Sequence, residues 1–203
     1  MKFVLALVLS LWMSVCNASC LFSFSFFPCT NSDHVTLYGQ VNSATSHDVI
    51  EGIQTANKEL LNSRPIYLFI DSPGGDVKEG GKIINAMESS RRPVYTVVIG
   101  QAASMAAYIE IYGVKRYMAP RSILMFHNAS AGAIGEITHM ASEVEILKKI
   151  VGEYNARLSE MTGLSETEIR LHNADEWWLT AKEAIDLKLV DDILNPSEYP
   201  PSP

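Results

Sequence analysis

Cysteine is confined to one end of this chain. All three, Cys16, Cys20 and Cys29, lie within the first thirty residues. That excludes a cysteine nucleophile and a thiolate zinc site from everything that follows. The five histidines show no pair at helical metal-ligand spacing near a third ligand, which argues against a metal centre of another kind. Positive charge is also scarce: 16 Lys and Arg stand against 23 Asp and Glu, a formal net charge of -7, which disfavours a nucleic-acid surface. There is no run of like charges, no internal repeat of motif size, no P-loop and no dinucleotide fingerprint. What is present is ordinary for a globular enzyme: 203 residues, 47% of them hydrophobic and 19% charged, enough for one domain with a substantial core.

The first residues form a separate unit. Met1-Lys2 carries one positive charge, Phe3 to Val15 is apolar apart from Ser10 and Ser14, and Cys16-Asn17-Ala18 offers small residues for a signal peptidase. This layout predicts a secretory signal peptide over residues 1–18, cleaved after Ala18. No charge intervenes between Lys2 and Asp33, so the alternative is an uncleaved membrane anchor extending to about residue 27. Either reading places the folded domain outside the cytoplasm. There Cys20 and Cys29 form an even pair able to close as a disulfide. Lipid attachment at Cys20 is a poor fit, because Asn17 stands where an aliphatic residue is expected. Residues 19–33 read as a linker or N-terminal arm, 34–195 as the domain, and the Pro-rich 196–203 as a disordered tail.

Within the domain, strands alternate with helices. His34 to Gly39 alternates and ends at glycine, which predicts a strand. Ser43 to Leu61 has helical spacing, with Thr45 or Ser46 as its cap. Pro65 to Ile70 reads as a strand, Asp71 to Asp76 as a turn, and Val77 to Ser90 as a helix burying Ile83, Ile84 and Met87. Val94 to Ile99 is a β-branched run expected to be a buried strand. The Ala-rich stretch after it reads as a closely packed helix. Val114 to Met118 and Ser122 to Phe126 are short strands, and Ile134 to Met161 is a long helix stopped by Thr162-Gly163. Ser165-Glu166-Thr167-Glu168 is a capping box opening a helix to His172. A helix over Thr180 to Leu187 and a strand over Leu189 to Ile193 complete the order. This is an α/β fold with a largely parallel sheet, and such sheets carry their sites beyond the carboxyl ends of the strands.

Two stretches meet at that edge. Ser104, in Gly100-Gln101-Ala102-Ala103-Ser104-Met105-Ala106-Ala107, stands at a strand-to-helix junction where backbone N–H groups favour developing negative charge. A simple helix cap is the competing reading, since serine is a preferred one. Ser72-Pro73-Gly74-Gly75 follows another strand, and paired glycines allow amide N–H groups to turn toward a carbonyl; an ordinary Pro-Gly turn is the alternative. His127 closes the apolar run Ile123 to Phe126 and is a candidate base. Asp175-Glu176 precedes two tryptophans and is the candidate orienting carboxylate, or else a pair of surface charges. His34, His47, His139 and His172 receive no role.

From about Val35 to Ile193 the chain resembles the Clp protease proteolytic subunit, a family of serine peptidases within the ClpP/crotonase superfamily. Ile66 to Gly75 is similar to that family's strand and oxyanion turn. Gly100 to Ala106 matches its nucleophile segment, Met125-Phe126-His127 its histidine segment, and Trp178 to Ala184 with Leu189-Val190-Asp191 its closing segment. The resemblance implies a fold of repeated β-β-α units with a long handle helix. It implies Ser104 as nucleophile, His127 as base, the N–H groups of Gly75 and Met105 as oxyanion donors, and no cofactor or metal. The family's orienting aspartate lies two residues before the aromatic of the closing segment. Counting back from Trp178 reaches Glu176, with Asp175 the alternative one residue further.

The resemblance also implies partners: unfolded proteins or peptides as substrates, and a homo-oligomer of stacked, heptameric rings joined through the handle, Ile134 to Met161. An AAA+ ATPase docks on family members at an apolar pocket, to which Tyr67 and Phe69 correspond. Here Ser89 and Ser90 make that wall polar, and export separates the chain from ATP, so such a partner is disfavoured. The family's usual cytoplasmic location is the alternative to export. Three other functions compete with an endopeptidase. They are a crotonase-type acyl-CoA enzyme, a membrane-associated peptidase with a Ser–Lys dyad using Lys115, and a catalytically inactive scaffold.

Overall fold

The computed structural model describes residues 33–59, 64–128 and 136–194. The expected signal peptide or anchor, the Cys20–Cys29 pair, the linker and the tail lie outside them. Among the described residues no helix is long and apolar enough to cross a membrane.

The domain is built on a sheet of seven strands among the described residues. β1 (His34–Tyr38), β2 (Ile66–Ser72), β3 (Val94–Ala103), β4 (Lys115–Met118) and β7 (Asp192–Ile193) lie side by side in that order, all parallel. β5 (Ile123–Phe126) pairs parallel with the far end of β3, and β6 (Trp177–Thr180) pairs antiparallel with β5. Helices α1 (Ser43–Ala56), α2 (Val77–Glu88) and α3 (Met105–Ile111) connect the first strands; α4 (Ile137–Thr162), α5 (Glu166–His172) and α6 (Ala181–Asp186) follow β5. The parallel order with helical crossovers is the α/β architecture that the alternating pattern predicts.

β2 and β3 read as continuous apolar runs because both their faces are covered. One face carries the main core, with Ile66, Leu68, Ile70, Val98, Ile83 and Ile109 among its members. The other carries a smaller cluster of Tyr67, Phe69, Val97 and Leu194, packed with Tyr95, Ile99 and Tyr117. Ser90, at the margin of α2, turns its hydroxyl onto the carbonyl of Arg92 at 2.7 Å.

Local chemistry moved several boundaries. α1 is capped by Asn42, whose side chain accepts from Ala44 and Thr45 N–H while the Thr45 hydroxyl answers the Asn42 N–H. Thr45 is therefore the third helical residue and not the cap. Ser46 is buried and donates to Glu79 at 2.5 Å. The capping boxes at Ser165 and Thr180 form with Glu168 and Glu183. β3 runs on past Ile99 to Ala103, because a bulge lets one residue of β2 face three of β3 between the Ile70–Val98 and Ser72–Ala102 pairs. The Asp71 carboxylate accepts from Gln101 N–H at 3.1 Å inside that bulge. β6 was not expected; its bulky Trp177 and Trp178 pair with Phe126 and Met125.

Among its described side chains, the long helix α4 buries only those of its C-terminal part. Tyr154 and Leu158 enter the core, whereas no residue from His139 to Glu153 is buried. At the amino-terminal end of the sheet, buried Arg92 bonds to the Asp33 carboxylate and to the carbonyls of Arg64 at 2.7 Å and Ala56 at 3.0 Å. This ties the start of β1 to the start of β3.

Candidate active site

β5 is the strand that joins the two halves of the site. Its Met125 lies beside Ala103, and the next N–H on the β3 side, that of Ser104, donates to the Met125 carbonyl at 2.8 Å. Ser104 is thus hung from the strand that ends, two residues on, in His127. Residues 23 apart in sequence are thereby neighbours: His127 Nε2 and Ser104 Oγ share a hydrogen bond of 2.7 Å.

The backbone at Ser104 explains where its hydroxyl goes. Ser104 has φ 55 and ψ -125, a conformation that favours glycine. It occupies the cap position of α3, yet its side chain makes no capping hydrogen bond. A serine present only as a cap accepts from the first turn; this one is turned to the imidazole instead. Both side chains are half-buried.

The glycine turn presses against this junction. Gly74 has φ 88, and a β-carbon there would lie 2.7 Å from Ser104 Cβ and 2.9 Å from Met105 N. Gly75 has φ 151 and is bridged to Val41, through Val41 N–H to the Gly74 carbonyl at 2.8 Å and Asp76 N–H to the Val41 carbonyl at 2.9 Å. In a parallel bridge of that pattern the N–H of Gly75 itself points to the other side. Met105 opens α3, so its N–H has no acceptor within the helix. The N–H groups of Gly75, in the turn that packs on Ser104, and of Met105, the residue after it, are therefore the two amide donors left over.

The acids are placed differently. Glu176 follows a short 3-10 turn, Asn173–Asp175, and has φ 54. Its carboxylate accepts from Trp178 Nε1 at 3.2 Å. Asp175 is exposed. Among the described residues neither carboxylate bonds to His127. The pairing of β5 with β6 ends with Phe126 opposite Trp177, so His127 and Glu176 are the next residues beyond that last pair.

Lys115, the candidate for a dyad, pairs with Tyr95 near the opposite end of β3 from Ser104. The other four histidines stay outside the site: His34 packs edge-on to Tyr67 and Phe69, His47 lies 3.9 Å from Glu51, His172 stacks on Trp177, and His139 is exposed.

One supporting residue left no trace in the sequence. The Asn173 carbonyl accepts from Asn128 N–H at 2.8 Å, steadying the residue after His127. Its buried side-chain amide reaches Tyr108 Oη and Asn155 Oδ1, each at 3.4 Å. Tyr108 lies one turn beyond Ser104 on α3, donates to Asn155 at 2.9 Å, and has its phenol pushed up to about 12 by burial. An asparagine beside charged residues looks like surface; only the tertiary contacts reveal it as a tie between the serine helix and the histidine strand.

The arrangement can take a proton from an alcohol, set that alcohol against a carbonyl, and meet the resulting oxyanion with amides. Comparison with known proteins points the same way. The Clp protease family model matches residues 26–197. The chain is 30% identical over 165 residues to the ATP-dependent Clp protease proteolytic subunit 2 of Treponema denticola, an alignment covering 80% of this chain and 82% of that protein.

Proposed function

The chain belongs to the Clp protease family, and from that footing we propose that it is a serine endopeptidase acting on unfolded proteins or peptides. Membership itself supports a peptidase, and proteins of this family act as proteolytic subunits that assemble into rings. The finer reading rests on one observation, the 2.7 Å contact between Ser104 Oγ and His127 Nε2.

The chemistry follows from that contact. With the imidazole proton on Nδ1, Nε2 accepts the Ser104 proton as Oγ attacks the peptide carbonyl. The carbonyl oxygen becomes an oxyanion, received by the N–H groups of Gly75 and Met105. The imidazolium returns its proton to the departing amine and leaves an ester on Ser104. A water molecule then gives a proton to His127 as its oxygen attacks the acyl group, and the imidazolium passes that proton to the departing Ser104 Oγ, releasing the acid and regenerating the serine. Glu176 is assigned as the carboxylate that holds the Nδ1 proton. The register of β5 and β6 favours it over Asp175, provided that it releases Trp178.

The exposed, partly apolar length of α4 is the proposed contact between rings. The relative is named as ATP-dependent. For this chain the polar Ser89 and Ser90, which stand where the resemblance puts an apolar wall of the docking pocket, speak against an ATPase partner, and the N-terminal segment is proposed to export the domain. Intact-mass measurement of the mature protein tests cleavage after Ala18.

An inactive scaffold is the second reading, favoured by the absence of a carboxylate on His127 among the described residues. Labelling with a fluorophosphonate after size fractionation separates the two. An active peptidase carries the label on Ser104 in the high-mass fraction and loses it in Ser104→Ala. No label in assembled material overturns the enzyme reading.

A further inference from the structure

A cavity of about 530 Å³ opens at the end of β3 remote from Ser104, between the end of α2, the turn after α3, the last turns of α4 and the residue after α6. β3 spans ten residues from Val94 to Ala103, so the cavity lies about 30 Å from the serine. Its apolar lining includes Met87, Pro93, Val114 and Met161. Its charged lining is Arg92, Arg116, Arg157, Lys188 and Glu88.

Three of the four cations already have an acidic partner. Arg92 is bonded to Asp33. Arg116 grips Asp191 through Nη2 at 2.6 Å and Nε at 3.0 Å, leaving Nη1 against Met161 Sδ at 3.6 Å, a weak acceptor. Arg157 stands over the Tyr112 ring at 5.6 Å and lies 4.0 Å from Glu160. Its Nε is buried with no acceptor among the described residues, an arrangement that is destabilising unless a further group completes it. Lys188 has no ion pair among the described residues and adopts φ 60. That conformation, one step past a helix end, is the usual seat of glycine. A lysine held there at a steric cost calls for a reason other than stability. Glu88 lies in the same lining as the unpaired Lys188, so charge around the cavity is close to balanced.

We propose that this cavity binds a monoanionic carboxylate carried on an apolar body. Arg157 and Lys188 read the carboxylate, and the methionines with Pro93 and Val114 hold the body. A lining with little surplus positive charge suits a single carboxylate better than a phosphate, which carries nearly two charges at neutral pH. A cavity of this volume suits a medium-chain acid or a short peptide with a free C-terminus. The proposal stands whether or not Ser104 is reactive.

The test follows the ε-methyl resonances of Met87 and Met161 in the full chain during titration with octanoate, octanamide and N-acetyl-leucyl-leucine. Both resonances move with octanoate and not with octanamide. Arg157→Met weakens the apparent affinity about tenfold, the loss expected for a charge-assisted contact. Lys188→Gly also weakens it while raising the melting temperature, opposite directions that a purely structural lysine does not give. Tighter binding of N-acetyl-leucyl-leucine than of octanoate assigns peptide ends as the source; the reverse assigns aliphatic acids. Equal response to octanoate and octanamide, no response to octanoate, or full affinity in both variants overturns the proposal.

Discussion

Gly74 leaves no room for a side chain beside Ser104: a β-carbon on the first would sit 2.7 Å from the β-carbon of the second. The glycine turn and the Ser104 junction therefore cannot be adjusted independently. Gly74→Ala must push one of them away, and the alanine is also strained at φ 88. Since a misplacement of about 1 Å can lower turnover about a hundredfold, fluorophosphonate labelling of Gly74→Ala is expected to slow by that order. Gly152→Ala, where the added carbon meets nothing within 4 Å, serves as the control and labels at the normal rate. Equal rates in the two variants would contradict the proposed oxyanion turn.

The two acids are separable by isosteric change. If Glu176 orients His127, Glu176→Gln lowers peptide turnover by about a hundredfold or more, as loss of an orienting carboxylate does elsewhere. Asp175→Asn leaves turnover within about threefold, the range of an exposed charge removed from the chemistry. The reverse pattern moves the role to Asp175, and two silent substitutions remove the acid from the mechanism.

Glu110 makes stability depend on pH. It lies on α3, fully buried, with both carboxylate oxygens unpartnered among the described residues. Burial pushes its carboxyl up from 4.5 to about 8, with Thr96 and Arg116 only partly opposing this. Between those values the folded chain keeps a proton that the unfolded chain has released. Stability therefore falls as pH rises through that window, by up to about 1.4 kcal/mol per pH unit. Glu110→Gln removes this slope. Urea midpoints for the two proteins should nearly coincide at pH 5 and separate by pH 8, with the glutamine variant the more stable. Parallel lines would show that Glu110 is already ionised in the fold.

Arg92 ties three backbone segments together from inside the protein. Arg92→Met deletes its bonds to the Arg64 and Ala56 carbonyls and one of its ties to the buried Asp33 carboxylate. Breaking a buried pair from one side costs about 3–5 kcal/mol, and the unfolding midpoint in urea should fall accordingly. A change below about 1 kcal/mol would mean that Arg64, which also pairs with Asp33, carries the load alone.

How much of this was legible beforehand depended on the range of the forces involved. The strand β2, the first part of β3 to Ile99, the helix opening at Val77 and the capping box at Ser165 follow from contacts within a few residues, and the sequence displayed them. Ser104, Gly74-Gly75 and His127 were visible as strand-end motifs. Whether the serine is a cap or a candidate nucleophile was undecidable locally; its contact with His127 is a hydrogen bond across 23 residues. The bulge beside Asp71, strand β6 and the Asn173–Tyr108–Asn155 tie arise from pairing between distant segments, and neither periodicity nor composition carries a mark of them. The cavity around Arg157 was equally silent, because it is the gap between helix ends that only the finished packing leaves.

The backbone angles at Ser104 have one more implication. A residue without a β-carbon would rest there at lower energy, so the conformation works against the very side chain that occupies it. Drift after a loss of hydrolytic purpose would have a thermodynamic slope to follow, toward glycine. That a hydroxyl still stands in this seat, facing an imidazole, is what a fold retains when it is working against its own ease.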